Sequence, residues 1–286
     1  MSLLEKLLSH RLRGFGSWEH TRSALEAACG SEARFLEVDV RASRDGEMFL
    51  WHDAHTGKLA DINLTFATTA ANDLVQVRYP NGDAILSLGD ALEIFSARAG
   101  GGQVFCIDIK DYGFEEKYLE MVRAAELESR VCFISWIPQT LLRLHELGTI
   151  APLVLSCCNL LQLGLIGRIL DALLANLRLR VGWIVFLGRN KAASGLGSLS
   201  HGFQHGFFCR RLPEPLLTVL QSSRGGICVQ RRLAGARLIG YCRETRLQLW
   251  VFSARTIEEY LDDARPGIDV VFCDDAPAVI NAVRQT

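Results

Sequence analysis

The sequence predicts an α/β protein of the (β/α)8, or TIM barrel, class that forms a single domain over residues 1–286. Short, almost continuously apolar runs alternate with amphipathic helical segments, which is typical of a parallel sheet covered by helices. The segment around His10 precedes seven such runs, at 34–42, 103–111, 130–135, 151–158, 225–230, 247–254 and 267–275. Eight units favour a closed barrel, and a doubly wound open sheet is the alternative.

The helical segments between these strands carry their own start signals. Amphipathic stretches occupy 87–100, 113–128, 138–147 and 256–264. Ser87 and Thr256 are predicted N-caps, and Pro138 fits the first turn of its helix.

One interval is about twice the length of an ordinary unit. Between the fifth and sixth strands, residues 157–224 form a long apolar insertion. We expect a buried strand and helix with an extra subdomain there. The alternative is a lid or surface that contacts a membrane or a partner subunit. The uninterrupted apolar part before Arg168 is shorter than the roughly 20 residues needed to cross a bilayer.

Composition excludes one class of partner. The 31 Lys and Arg residues almost cancel the 32 Asp and Glu residues, so bulk charge gives no argument for nucleic-acid binding. Nine cysteines, an odd number and several of them in apolar strands, indicate a reducing compartment. With no cleavable apolar stretch at the amino terminus, we expect a cytoplasmic location. The oligomeric state is not determined by the sequence.

Carboxylates at predicted strand ends suggest a metal site. Glu37 and Asp39 lie two apart in a strand and therefore project from the same face. Two such carboxylates repel unless a cation lies between them, and Mg²⁺ or Ca²⁺ is the natural choice for oxygen ligands. Asp108 on the next inward strand would be a third ligand, and Lys110 would face a phosphate oxygen. The alternative is an internal salt bridge among Glu37, Asp39 and Lys110.

Two histidines extend this pattern toward catalysis. His10 and His52 each follow a strand-like run and would reach the same barrel mouth. Imidazoles titrate near neutrality, so one can remove a proton from an attacking hydroxyl while the other protonates a leaving oxygen.

The ordered motifs resemble the glycerophosphodiester phosphodiesterase family, whose barrel is of the phosphatidylinositol-phosphodiesterase type. That family's pattern runs His-Arg-Gly, Glu-Asn-Thr, Glu-x-Asp, Asp-Gly and His-Asp. Here "HR" at His10 is followed at the family's spacing by "EHT", "LEVDV", "DGEMFLWHD" and "DIK". The tail "LWVFSARTIEE" and "GIDVVFCDDAP" is similar to the family's last two strands.

The resemblance implies a metal-dependent hydrolase that cleaves glycerophosphodiesters or lysophospholipids into an alcohol and glycerol phosphate. It implies one divalent ion, Mg²⁺ or Ca²⁺, and His10 and His52 as the acid–base pair. It further implies that Arg11 and Lys110 neutralise phosphate oxygens and that Trp250 lines the substrate pocket.

Three departures from the family pattern keep other functions open. Leu12 replaces the motif glycine, His20 replaces the usual Asn, and Asp108 stands where Glu is usual. Asp-x-Lys resembles the sphingomyelinase D branch, although the long interval from His10 to Glu37 argues against it. The alternatives are a lyase of the lysophospholipase D or sphingomyelinase D type that releases a cyclic phosphate, and a catalytically degenerate relative that only binds a phosphorylated ligand.

Overall fold

Eight parallel strands close into a barrel in the computed structural model, which describes residues 2–181, 185–186, 205–206 and 208–285. The strands in chain order are β1 Leu7–Ser9, β2 Phe35–Ala42, β3 Met48–Leu50, β4 Val104–Ile109, β5 Val131–Ser135, β6 Leu153–Ser156, β7 Cys158–Asn159, β8 Val185–Phe186, β9 His205–Gly206, β10 Phe208–Cys209, β11 Gly226–Gln230, β12 Gln248–Ala254 and β13 Val270–Cys273. The barrel uses them in the order β1-β2-β4-β5-β6-β11-β12-β13.

Closure is achieved by the first strand, which pairs in parallel with both β2 and β13. Leu8 is opposite Phe35 on one side and Phe272 on the other. The predicted (β/α)8 class is therefore confirmed, and the open doubly wound sheet is excluded because such a sheet has two unpaired edges. The strand β3 lies outside the barrel, antiparallel to the end of β2.

Ten helices are described. They are α1 Arg22–Cys29, α2 Ala71–Leu74, α3 Leu88–Arg98, α4 Glu115–Ala124, α5 Pro138–Glu146, α6 Gly164–Val181, α7 Glu214–Ser222, α8 Ala236–Thr245, α9 Ile257–Asp263 and α10 Ala276–Arg284. The predicted caps are confirmed: Ser87 Oγ accepts the N–H of Asp90 at 3.0 Å, and Thr256 Oγ1 accepts that of Glu259 at 3.2 Å. Pro138 opens α5, where a missing N–H breaks no helical bond.

Alternation along each strand divides the core into two layers. On β2, Leu36 and Val38 face outward and pack beneath the helices in the larger cluster. Inward-facing side chains fill the lower barrel as a separate apolar cluster: Leu8, Cys106, Cys132, Ile134, Val154, Cys228, Trp250, Val270 and Phe272. We call this cluster the barrel floor. All nine cysteines are free thiols.

Two different helices are described in the interval predicted as an insertion, 157–224. Leu216, Val219 and Leu220 of α7 are buried in the larger cluster, so α7 covers the barrel like the other outer helices. By contrast, α6 carries exposed apolar side chains. No helix of the described residues is long and apolar enough to span a membrane. Residues 182–184, 187–204 and 207 of this interval lie outside the described part of the chain.

Candidate active site

Polar side chains meet at the carboxyl ends of the barrel strands, where they line a cavity of about 840 Å³. This is the end of a (β/α)8 barrel at which active sites are found. The cavity contains seven of the eight predicted site residues: His10, Arg11, Glu37, Asp39, His52, Asp108 and Lys110.

Three carboxylates form a compact group on two adjacent strands. Glu37 and Asp39 share the inward face of β2, and Asp108 of β4 lies opposite Asp39 in the strand register. One oxygen from each carboxylate lies within 4.8 Å of the others, and all three side chains are buried. Strand alternation and register together bring these side chains to one point.

Two cations are in direct contact with this group. Lys110 Nζ lies 2.7 Å from Asp39 Oδ1 and 2.5 Å from Asp108 Oδ2. The Nε of Arg11 is 3.0 Å from Asp39 Oδ2, and its backbone N–H donates to Glu37 Oε2 at 2.8 Å. The internal salt bridge considered from the sequence is thus present, with Asp108 in the place expected for Glu37.

The charges in this group are not balanced. Three carboxylates face Lys110 and Arg11, which leaves one negative charge in excess when all are ionised. Burial raises the pKa of Glu37 well above its usual value, and the nearby charges of Asp39 and Asp108 raise it further. Burial acts in the same direction on Asp39, but Lys110 and Arg11 outweigh it and hold the pKa of that carboxyl well below its usual range.

This imbalance suits a hard divalent cation. Asp108 Oδ1 is buried and has no hydrogen-bond partner among the described residues. A buried oxygen without a partner is unfavourable unless a ligand satisfies it. A cation held by Glu37, Asp39 and Asp108 would do so and would replace the proton that burial favours on Glu37. The donor set therefore fits Mg²⁺ or Ca²⁺.

Each predicted catalytic histidine is oriented by its own carboxylate. His10 Nδ1 lies 2.5 Å from Asp274 Oδ1, and His52 Nδ1 lies 2.6 Å from Asp53 Oδ1. With Nδ1 engaged, Nε2 is the ring nitrogen available for proton transfer. Burial lowers the pKa of His10, although the bond to Asp274 opposes this shift.

The sequence assigned no role to either aspartate, although the His-Asp motif contains Asp53. Asp53 directly follows His52, and Asp274 follows the last barrel strand. Although burial would raise the pKa of Asp274, its bond to His10 and the charge of Arg13 hold it below the usual value. The signal that could have identified Asp274 is an acidic residue at the carboxyl end of a barrel strand.

Two departures in the first loop acquire a physical explanation. The N–H of Asp39 donates to His20 Nε2 at 3.2 Å, so His20 supplies an acceptor to the carboxylate strand. Burial lowers the pKa of His20 to about 4, which keeps the ring neutral. Arg11 and Leu12 have φ of 56° and 59°, a left-handed conformation that favours glycine. Leu12 compensates by burying its side chain in the core.

The expectation that Trp250 lines the substrate pocket needs correction. Trp250 is 2% exposed in the barrel floor, and its indole N–H donates to Gln248 Oε1 at 2.8 Å. Two residues further along the same face of β12, Phe252 does line the cavity, together with Trp136. Their rings meet edge to face with centroids 5.7 Å apart. Trp250 precedes Phe252 by one inward-facing position, so its side chain lies deeper in the barrel and does not reach the mouth.

Fold and site together define the class of protein, a (β/α)8 barrel with two aspartate-bound histidines beside buried carboxylates at its mouth. The family model described as glycerophosphoryl diester phosphodiesterase matches residues 8–94. The resemblance predicted from the motifs is thereby confirmed, and with it the enzyme class, a phosphoric diester hydrolase. The matched segment contains His10, Glu37, Asp39 and His52, whereas Asp108 lies beyond it. No curated protein matches the chain.

Solved structures agree in fold over nearly the whole chain. A phosphodiesterase from Oleispira antarctica in complex with the product sn-glycerol-3-phosphate is 15% identical, covers 98% of this chain and 97% of its own, and has a TM-score of 0.68. A glycerophosphodiester phosphodiesterase from Thermotoga maritima is 17% identical, with 98% of both chains covered and a TM-score of 0.61. A glycerophosphodiester phosphodiesterase from Agrobacterium tumefaciens is 14% identical, covers 96% of this chain and 99% of its own, and has a TM-score of 0.62.

Proposed function

We propose that this protein hydrolyses glycerophosphodiesters or lysophospholipids to an alcohol and a glycerol phosphate, which keeps its acyl chain when the substrate is a lysophospholipid, in a reaction that requires a divalent cation. The observation that carries the proposal is the pair of histidines, each held by an aspartate, in one cavity with the carboxylate group. The product bound to the Oleispira antarctica phosphodiesterase supports glycerol phosphate as the product here.

In this proposal the histidines move protons at opposite sides of the phosphorus. The substrate's own glycerol hydroxyl attacks phosphorus and gives its proton to His10 Nε2, because burial favours the neutral base form of that ring. His52, oriented by Asp53, protonates the departing alcohol oxygen as the P–O bond breaks. Water then opens the cyclic phosphate, with the two proton transfers reversed.

The remaining groups in the cavity neutralise the charge of the phosphate and bind the apolar part of the substrate. Arg11 and Lys110 lie beside the carboxylates, where they face the phosphate oxygens. A bound divalent ion would supply Lewis-acid stabilisation of the charge that develops on phosphate. The aromatic side chains of Trp136 and Phe252 form an apolar wall on which the alcohol portion of the substrate would pack.

Phosphorus NMR would test the reaction directly. Glycerophosphocholine and lysophosphatidylcholine are incubated with the protein in the presence of Mg²⁺, Ca²⁺ or chelator, beside His10→Ala and His52→Ala. We expect metal-dependent product, with rates about 10²–10⁴ lower in each variant. The phosphorus shift separates open from cyclic phosphate.

Two results would contradict the proposal in different ways. A cyclic phosphate that accumulates without opening would identify a lyase. Ligand-induced thermal stabilisation without product from either substrate would identify a binding protein, the alternative that Leu12, His20 and Asp108 leave open.

A further inference from the structure

The helix α6 carries a concentrated exposed apolar face, which we call the α6 apolar face. It consists of Leu165, Ile166, Ile169, Leu170 and Leu173, whose exposed fractions lie between 37 and 71%. Six of the eleven large hydrophobic residues that are exposed in the described chain lie within 163–173. Because residues four apart share one side of a helix, these side chains form a continuous stripe and not scattered surface residues.

The backbone of α6 lies directly against the turn that precedes the helix. Gly167 is buried, and a Cβ at this position would lie 2.2 Å from the carbonyl oxygen of Leu160. The contact at Gly167 therefore leaves no space for a side chain, whereas the five apolar side chains of the α6 apolar face remain exposed.

Arginines border the stripe. Arg168, Arg210 and Arg237 line a shallow pocket together with Gly164 and Leu165. Arg168 and Arg237 are exposed, and Nε of Arg210 is buried without a hydrogen-bond partner among the described residues. The pocket therefore combines positive charge with one edge of the α6 apolar face.

The face lies at the same end of the molecule as the catalytic cavity. Ser156 and Cys158 line the cavity at the end of β6, and α6 begins at Gly164, six residues after Cys158. A surface bound to the α6 apolar face would therefore be close to the cavity mouth.

We propose that the α6 apolar face and its three arginines dock the protein on the surface of a bilayer that contains anionic phospholipids. An apolar stripe with arginines at its border is the chemistry of a helix that lies in the membrane interface. The absence of a membrane-spanning helix among the described residues fits docking from one side. A two-fold dimer through this face is disfavoured, because it would bring the arginines of both copies into one interface.

Vesicle co-sedimentation of the full chain, without substrate, tests this docking. We expect binding to phosphatidylcholine vesicles that contain phosphatidylglycerol, weak binding to phosphatidylcholine alone, and loss of binding as salt screens the charges. The pair Leu165→Glu/Ile169→Glu and the pair Arg168→Gln/Arg237→Gln should each weaken binding about tenfold or more. Ile150→Glu is the matched control, since Ile150 is 70% exposed but precedes β6 at the opposite end of the barrel.

Failure has several distinguishable forms. The proposal is wrong if the parent protein does not bind anionic vesicles. It is also wrong if Ile150→Glu weakens binding as much as the double variant Leu165→Glu/Ile169→Glu. A parent dimer in analytical ultracentrifugation that the α6 pair converts to monomers would assign the face to a second copy. Circular dichroism confirms folding of each variant. Because binding is measured without substrate, it remains readable even where the proposed hydrolysis fails.

Discussion

The barrel floor and the cavity mouth are built by the same strands and the same inward face, yet the buried carboxylates and their cations lie at the mouth. On β4, Cys106 belongs to the floor, and Asp108, two residues later, belongs to the mouth. On β12 the same step leads from Trp250 in the floor to Phe252, which gives the mouth an apolar wall. On β4 one inward step, about 6.6 Å, therefore separates apolar packing from an ionic site.

This contrast shows how the barrel accommodates unbalanced charge. The floor fills the lower barrel with apolar side chains, so the carboxylates above it are buried from below and open only toward the cavity. Burial of this kind is the main cause of the raised pKa of Glu37 and of the lowered pKa of His10. Changes in the floor should therefore act on stability, and changes at the mouth on binding and charge.

The largest expected effect compares two tryptophans. Trp250→Ala should lower the free energy of unfolding by about 3–5 kcal/mol, because it leaves a cavity in the floor and removes the donor to Gln248 Oε1. Trp136→Ala, at the partly exposed mouth, should cost about 1 kcal/mol or less and raise KM. Urea unfolding and steady-state kinetics measure both. The division between floor and mouth fails if the two variants lose equal stability.

Lys110→Gln should lower stability by about 3 kcal/mol in the absence of metal, because Asp39 and Asp108 lose their shared cation. Mg²⁺ should restore more of the melting temperature in this variant than in the parent, since the ion would replace the missing charge. Lys117→Gln, which removes an exposed pair with Glu47, is the control and should change stability by less than about 1 kcal/mol. An equal metal response in parent and Lys110→Gln would contradict the expected charge compensation.

His20 should make stability depend on pH. Its folded pKa of about 4 lies below the unfolded value of 6.5, so between these values the unfolded state binds a proton that the folded state does not. Its contribution is complete above pH 6.5 and is lost as the pH falls toward 4, by about 2 kcal/mol between pH 7 and pH 5. We expect His20→Asn to reduce the dependence of the free energy of unfolding on pH, as measured by urea titrations at several pH values. His145→Asn, on the exposed side of α5, should leave this dependence unchanged. An identical pH dependence in the parent and in His20→Asn would contradict the role assigned to His20.

Leu12 provides the smallest effect. Leu12→Gly relieves a left-handed backbone by about 1–2 kcal/mol but removes a fully buried side chain, so a net loss of about 1–2 kcal/mol is expected. Leu12→Ala should be less stable than Leu12→Gly, the reverse of the usual order, because alanine keeps the strain. Thermal melts of the two variants measure this difference. If Leu12→Ala is more stable than Leu12→Gly, the left-handed backbone at this position does not lower the stability of the protein.

Sequence patterns predicted the elements because they are local properties. Seven barrel strands and the caps at Ser87 and Thr256 lie where apolar runs and capping chemistry placed them, and the first strand lies in the segment around His10, as expected. Ordered motifs likewise brought the predicted residues to one cavity, since parallel strands all end at the same mouth. The exception, Trp250, shows the limit of this reasoning: a motif gives position along the chain, but depth in the barrel depends on stagger between strands.

The sequence by itself determined the barrel, its mouth and the residue types that meet there, because alternation and strand order are encoded locally. Only the tertiary structure decided which groups pair. Lys110 reaches Asp108 as well as Asp39, and Asp274 reaches His10 across the closing strands. Distances of a few ångström between residues more than 200 positions apart depend on how the barrel closes, and so does the burial that shifts the pKa values of Glu37 and His20.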